Sequence, residues 1–343
     1  MKQPKTAILL LQIGSPETPT LWAVARYLGR FLSDRRLINL ANPWRWLLVY
    51  CLILPFRSWR SSRAYKKVWT AEGSPLVVHT QGLAQKLEAQ LGDDFAVRAG
   101  MAYGSPSIAS AVADLLEKNP QEILLLPLFP QGSSATTSAL SSTAMEALIG
   151  YWDFPALRMI PPFFDRQEYL QAYHQQSAER LTEFAADHVL FSFHGMPHGH
   201  LLKTRPCSAH CLAAPACSRA LAREPSCYRG HAERSAALLA EVFGLPDSAW
   251  SLAYQSRLGA SAWLGPSTDQ RLRQLGAQGV RLAVISPSFT SDCLETLEEL
   301  GIAGRETFLE AGGQDFLLLA SLNTCSAWVT GLANICRQES RRF

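Results

Sequence analysis

The chain has 343 residues, enough for two domains of ordinary size, and at 48% hydrophobic and 18% charged it is globular rather than disordered. A formal net charge of +3, with no block of Lys and Arg interleaved with aromatics, gives no footing for a nucleic-acid partner. No uncharged apolar run approaches the roughly 18 residues a spanning helix needs, and the N-terminal apolar run is too short for a secretory signal. The chain therefore reads as cytoplasmic, where its eight cysteines are not expected to pair as structural disulfides.

Residues 7 to 13 (AILLLQI) read as a first strand, turned by Gly14, Ser15 and Pro16. A second apolar stretch, 44 to 56, is flanked by Trp44, Trp46, Trp59, Arg45, Arg57 and Arg60. It is either a buried helix or an exposed lip that meets a membrane surface or a flat apolar ligand. Residues 65 to 76 end a helix and turn at Gly-Ser-Pro, and 97 to 103 form a strand. A helix over 108 to 118 has Ser107 as its cap. The strand 123 to 129 ends at Pro130 and opens into QGSSATTSA, a polar loop rich in donors. Further strands at 189–193, 250–254, 280–286 and 315–319 alternate with helices, the pattern of a parallel, doubly wound sheet.

The two halves repeat. At an offset of 160 residues Tyr103 meets Trp263, Pro106 meets Pro266, Ser107 meets Ser267, Pro127 meets Pro287 and Phe129 meets Phe289. At an offset of 181, Gly14 meets Gly195 and Pro16 meets Pro197, which makes Ile13 and His194 equivalent. These ordered matches imply duplicated α/β lobes. Neither GxGxxG nor GxxxxGK[ST] occurs, so a dinucleotide or nucleoside triphosphate has no support.

Within HVLFSFHGMPHG (188–199) an apolar strand ends on His194 before Gly195 and Pro197 turn the chain. That is the carboxyl end of a strand, where open α/β sheets bind ligands. Cys207, Cys211, Cys217 and Cys227 follow, spaced C-x3-C-x5-C-x9-C, and can gather round one soft centre, zinc or an iron–sulfur cluster. The close CxxC pairs of structural zinc sites are absent, His210 and His231 are nearby alternative ligands, and unliganded thiols are the plain alternative. Cys51, Cys293, Cys325 and Cys336 read as ordinary buried residues. Glu295 and Glu299 are four apart, so a helix puts them on one face, as a solvated acidic stripe or as a path for protons or metal.

Six segments together resemble the ferrochelatases, specifically a proteobacterial kind: YKKVWTAEGSPL (65–76), AYGSPSI (102–108), LPLFPQGSSATT (126–137), LFSFHGMP (190–197), YQSRLGASAWLGPST (254–268) and SPSFTSDCLETLEEL (286–300). The resemblance implies two Rossmann-like lobes, each a parallel sheet flanked by helices, with a cleft between them. Residues 1–163, with the lip and a returning C-terminal helix within 321–343, would make the first lobe, and 164–320 the second. It implies an enzyme, a lyase inserting Fe(II) into protoporphyrin IX with loss of two protons, the last step of haem formation. His194 would be the metal-site histidine and proton acceptor, Glu295 the acid facing it, and Glu299 a further relay. Ile13, Tyr65, Trp263 and Phe289 would line the macrocycle. A subset of the family carries a 2Fe–2S cluster on an insert after the HGxP motif, and Cys207, Cys211, Cys217 and Cys227 resemble that insert. The lip at 44–56 would give peripheral contact with the inner membrane. A cobalt chelatase acting on another tetrapyrrole, or a non-catalytic two-lobed carrier of haem or metal, are the alternatives. The chain departs from the family at Gln12-Ile13-Gly14-Ser15-Pro16, at Phe129 and Gly132 where tyrosines are usual, and at Pro287-Ser288-Phe289.

Overall fold

The computed structural model describes residues 4–38, 40–203, 212, 227–257 and 261–340. Two four-stranded sheets carry the fold. The first contains β1 (Thr6–Gln12), β2 (Phe95–Met101), β3 (Glu122–Pro127) and β4 (Ala156–Met159), in the order β2-β1-β3-β4. The second contains β5 (His188–His194), β6 (Trp250–Gln255), β7 (Arg281–Ile285) and β8 (Asp315–Leu318), in the order β6-β5-β7-β8. Every pairing is parallel. The central strands are apolar along their length because helices cover both faces of a parallel sheet; all seven residues of β1 are buried. The edge strand β4 (ALRM) is half exposed and carries no apolar run, which is why the pattern of residues does not announce it.

The chain divides into two compact units, Met1–Leu128 with Ser134–Ile160 and Ala333–Phe343, and Phe129–Ser133 with Pro161–Leu332. Their internal plans match in detail. Met101 N–H donates to Pro106 O (2.8 Å) in one, and Tyr254 N–H to Pro266 O (2.9 Å) in the other. Both prolines follow cis peptide bonds. The next residue caps a helix in each: the Ser107 hydroxyl accepts from Ser110 N–H ahead of Ile108–Glu117, and that of Ser267 from Gln270 N–H ahead of Thr268–Gly276. The duplicated, Rossmann-like construction expected from the offsets is therefore present.

Three expectations change. The segment after Pro130 is a loop only over 131–133: Ser134–Ser138 is a short π-helix running into the helix Ala139–Ile149. The stretch at 44–56 is not a buried helix. It is helical through Asn42–Trp46, a π-helical segment Leu47–Ile53 and the helix Leu54–Val68, yet Trp44, Leu52, Phe56 and Trp59 are more than half exposed, and within the π-segment Val49 alone is buried. Cys51 sits on this surface and is exposed, contrary to the expectation that it is a core residue. Among the described residues no helix is long and apolar enough to cross a membrane.

In the second unit one hydrophobic cluster joins Leu190 of β5, Ala253 of β6, and Leu282 and Val284 of β7 to Leu300 and Phe308. Leu300 belongs to the π-helix Glu295–Gly304, so burying it fixes that helix over the sheet.

Candidate active site at the carboxyl end of the second sheet

His194 closes β5 in register with Gln255, the last residue of β6. Its Nδ1 lies 2.7 Å from the Gly195 carbonyl. A carbonyl only accepts, so Nδ1 carries the proton and Nε2 keeps its lone pair for a proton or a metal. The backbone is held on both sides: His194 N–H donates to Ser288 Oγ (3.2 Å), and its carbonyl accepts from Tyr228 Oη (2.6 Å). Burial pushes the Tyr228 phenol up, which keeps it a donor. The Phe289 ring stands edge-on to the imidazole, 6.1 Å between centroids and 64° between planes.

The turn after His194 requires glycine. Gly195 N–H donates to Gln255 O (2.8 Å), and a Cβ on Gly195 would lie 2.5 Å from that oxygen and 3.1 Å from the Trp263 ring. Trp263 therefore lies against the turn, strapped there by Leu264 N–H to Met196 O (3.0 Å) and His198 N–H to Ala262 O (2.9 Å).

Glu295 and Glu299 stand on the π-helix Glu295–Gly304, not on the α-helix their spacing suggests. Such i→i+5 segments recur at functional sites, and four residues still keep the two acids on one side. The first turn is clamped: the Asp292 carboxylate accepts from Thr296 Oγ1 (3.1 Å), Ser321 N–H (3.2 Å) and Asn323 Nδ2 (2.7 Å). Gln255 Nε2 donates to the Glu295 carbonyl (3.2 Å). The Glu299 carboxylate accepts from Ser256 N–H (2.8 Å) and Ser256 Oγ (2.6 Å). Burial pushes Glu299 up; the Ser256 bonds pull it down, Glu295 adds to the rise, His194 opposes it, and the net is upward. Glu295 and His194 thus both act on the charge of Glu299, Phe289 stands against His194, and Trp263 lies against the turn that follows it.

Ile13 and Tyr65 belong to the first unit. Ile13 follows β1 in the first unit, half buried, its carbonyl accepting from Tyr103 N–H (3.0 Å). Tyr65 is buried on the helix Leu54–Val68, edge-on to Trp69. Cys207, Cys211, Cys217 and His210 lie outside the described residues. Cys227 is fully buried at the start of the helix Tyr228–Val242, its carbonyl accepting from His231 N–H (2.9 Å). His231 is wedged against Phe164 at 4.1 Å and its Nδ1 accepts from Gly132 N–H (3.2 Å), so that lone pair is already committed. Among the described residues no group of three or more His, Cys, Asp and Glu side chains is gathered to hold a metal ion. Gln255, Ser256, Ser288 and Tyr228 are the site residues that sequence reasoning missed. Gln255 and Ser256 fall inside YQSR, where the signal was visible but carried no role.

The family model described as Ferrochelatase matches residues 5–340. A ferrochelatase of Coxiella burnetii (strain Dugway 5J108-111) is 38% identical over 99% of this chain and 95% of its own length. One from Legionella pneumophila (strain Lens) is 38% identical over 98% of this chain and 99% of its own. Among solved structures, SirB from Bacillus subtilis with Fe3+ superposes with a TM-score of 0.55 at 10% identity, covering 98% of this chain and 96% of that one, a likeness of fold alone. With a family match over nearly every residue and full-length relatives at this identity, the chain belongs to the ferrochelatase family.

Proposed function

We propose that this lyase inserts Fe(II) into protoporphyrin IX, releasing two protons and giving protohaem, with His194 and Glu295 as its catalytic pair. The observation that carries the assignment is the tautomer at His194: Nδ1–H is held by Gly195 O, so Nε2 offers a lone pair, and the charge of His194 acts on Glu299 together with that of Glu295. Metallation must remove two pyrrole protons and strip water from iron. A neutral imidazole suits the first task near pH 7, and a carboxylate suits hard Fe(II) in the second. Glu299, whose carboxyl burial pushes up, relays protons or metal along the helix. Ile13, Tyr65, Trp263 and Phe289 contact the macrocycle. Bending that ring exposes a nitrogen lone pair, a strain supplied by binding energy elsewhere on the substrate.

Two further parts belong to the proposal. The lip at 44–56, with its flanking residues, rests on a membrane and receives an apolar substrate there. Its support is the run of exposed Trp44, Trp46, Phe56 and Trp59, with the Arg63 guanidinium 3.6 Å from the centre of the Trp59 ring, the aromatic and cationic mixture that favours an interface. Cys207, Cys211, Cys217 and Cys227 hold a 2Fe–2S cluster. Bound there, it would supply one-electron redox chemistry, and the His–Glu chemistry does not call on it. Its support is the thiol spacing and Cys227, a fully buried thiol fixed where a helix begins. Anaerobically purified protein should carry about two irons and two acid-labile sulfides per chain; colourless protein free of sulfide would remove the cluster.

The decisive assay supplies excess Fe(II) and protoporphyrin IX anaerobically and follows loss of porphyrin fluorescence. Many turnovers per chain are expected. Stoichiometric quenching without turnover would overturn catalysis in favour of carriage, and turnover of coproporphyrin alone would change the substrate.

A further inference from the structure

Two neighbours at the end of β6 hold Glu295 and Glu299 of the π-helix without being assigned any chemistry. Gln255 is buried at 3% exposure. Its Nε2 meets the Glu295 carbonyl, and since a carbonyl only accepts, the amide nitrogen must face it. Its Oε1 accepts from Ser192 Oγ (2.8 Å), a hydroxyl buried in β5, and its backbone carbonyl accepts from Gly195 N–H. One residue therefore ties the turn bearing His194 to the turn bearing Glu295.

Ser256 then enters the left-handed region at φ 64°, where a side chain is strained and glycine would fit more cheaply. That reversal turns its N–H and its hydroxyl onto the same target, one to each oxygen of Glu299. Glycine would keep the N–H bond and lose the other. The strained serine is thus explained by its second donor, which leaves the carboxylate a single orientation.

We infer that Ser256, braced by Gln255, is a positioning residue that fixes the Glu299 carboxylate for iron insertion, an inference that rests on the relay role given to Glu299 above. Ser256 reaches the reaction only through Glu299, so its effect must vanish when Glu299 is altered. A merely structural contribution has no such dependence.

The test is a double-mutant cycle on the full chain with Ser256→Gly, Glu299→Gln and the pair, measuring kcat and KM with Fe(II) and protoporphyrin IX alongside thermal melting. Ser256→Gly should lower kcat about 10- to 100-fold, the scale of a misplaced catalytic group, with KM for the porphyrin held within about twofold. In the Glu299→Gln background it should cost nothing further. Ser256→Ala, which loses the same hydroxyl without adding backbone freedom, should show the same coupling and separates positioning from loop loosening. Unchanged kcat in Ser256→Gly, or losses that multiply with those of Glu299→Gln, would overturn the inference and leave the role of Glu299 intact. Full kcat in Glu299→Gln alone would remove that role, and the inference with it.

Discussion

The two lobes share a scaffold and differ in what they hang on it. Each central strand runs into a glycine turn, and in each a tyrosine hydroxyl pins a carbonyl at that turn: Tyr27 to Gly14 O at 3.0 Å, Tyr228 to His194 O at 2.6 Å. After the third strand each lobe enters a π-helix, Ser134–Ser138 in one and Glu295–Gly304 in the other. At the repeat's own offsets, Ile13 stands where His194 does, Ala135 where Glu295 does, and Ala139 where Glu299 does. The loop to the cis-proline also differs: Pro106 follows Met101 closely, whereas a longer segment containing Ser256 and Trp263 separates Tyr254 from Pro266. On the proposed assignment, features common to both lobes answer to folding, and features confined to the second answer to chemistry. The glycine turn, the π-helix and the serine cap belong to the first class. The imidazole, the two carboxylates and the extended loop belong to the second.

The sharpest way to break this division is to remove the imidazole. His194→Ala should lower turnover by about 10³-fold, the range for a lost general base, while porphyrin binding, read by fluorescence titration, persists. Near-normal turnover would sink the assignment. Next, Glu295→Gln should cost about 10²-fold, and adding Ala135→Glu to that variant should recover nothing, because the first lobe has no histidine at the equivalent strand end. Recovery would show that the lobes are chemically interchangeable.

A middle-sized effect separates the two glycine turns. A Cβ on Gly195 meets Gln255 O at 2.5 Å; one on Gly14, at φ 95°, meets Met101 Cβ at 2.9 Å. Gly195→Ala and Gly14→Ala should each cost about 1–3 kcal/mol in denaturant unfolding. Only Gly195→Ala should lower kcat beyond what the lost stability explains, since it displaces the residue next to His194. Equal kinetic losses would show that the turn acts through stability alone.

Much of this was legible in the residues. β1 and β5 are covered on both faces, so their apolar runs stand out, and a polar His194 ending such a run before glycine marks a ligand-bearing strand end. β4 sits at an edge with two exposed residues and leaves no pattern. The π-helices were invisible, because carboxylates four apart share a face in either kind of helix, and a run of Ser, Ala and Thr reads as a loop. The apolar period of 44–56 finds the helix but not which way it faces, so Cys51 went to the wrong side. Ser256 hid for another reason: positive φ is foreseen at glycine, and nothing local says that a serine will accept the strain to gain a donor.

A smaller effect concerns stability at the acid pair. Burial raises the Glu299 carboxyl above its ordinary 4.5, so the folded chain holds that proton more tightly than the unfolded one. Stability contributed by the protonated form is present at low pH and is lost as pH climbs through the raised value. Glu299→Gln should therefore melt higher than wild type at neutral pH, by about 1 kcal/mol, the usual scale when a functional compromise is relieved. The gap should close toward pH 4. A variant less stable than wild type at neutral pH would show that the two Ser256 bonds outweigh the burial.

The smallest effect separates the two histidines of β5. His188 opens the strand and His194 closes it. His188 Nε2 lies 2.8 Å from Ser251 Oγ, which itself accepts from Arg271 Nε at 3.1 Å. Protonating the His188 ring would set a second cation near Arg271. Burial first, and Arg271 second, push His188 down to about 4 from an ordinary 6.5. The depressed value means the stability it contributes is complete above 6.5 and is lost as pH falls through about 4. Solvent screening of this partly open site holds the effect to about 1 kcal/mol or less. His188→Gln should keep full turnover at pH 7, while its melting temperature falls less than that of wild type between pH 6.5 and 4. Parallel melting curves across that window would mean that folding does not push the His188 ring down, and that burial and Arg271 leave its affinity for a proton unchanged.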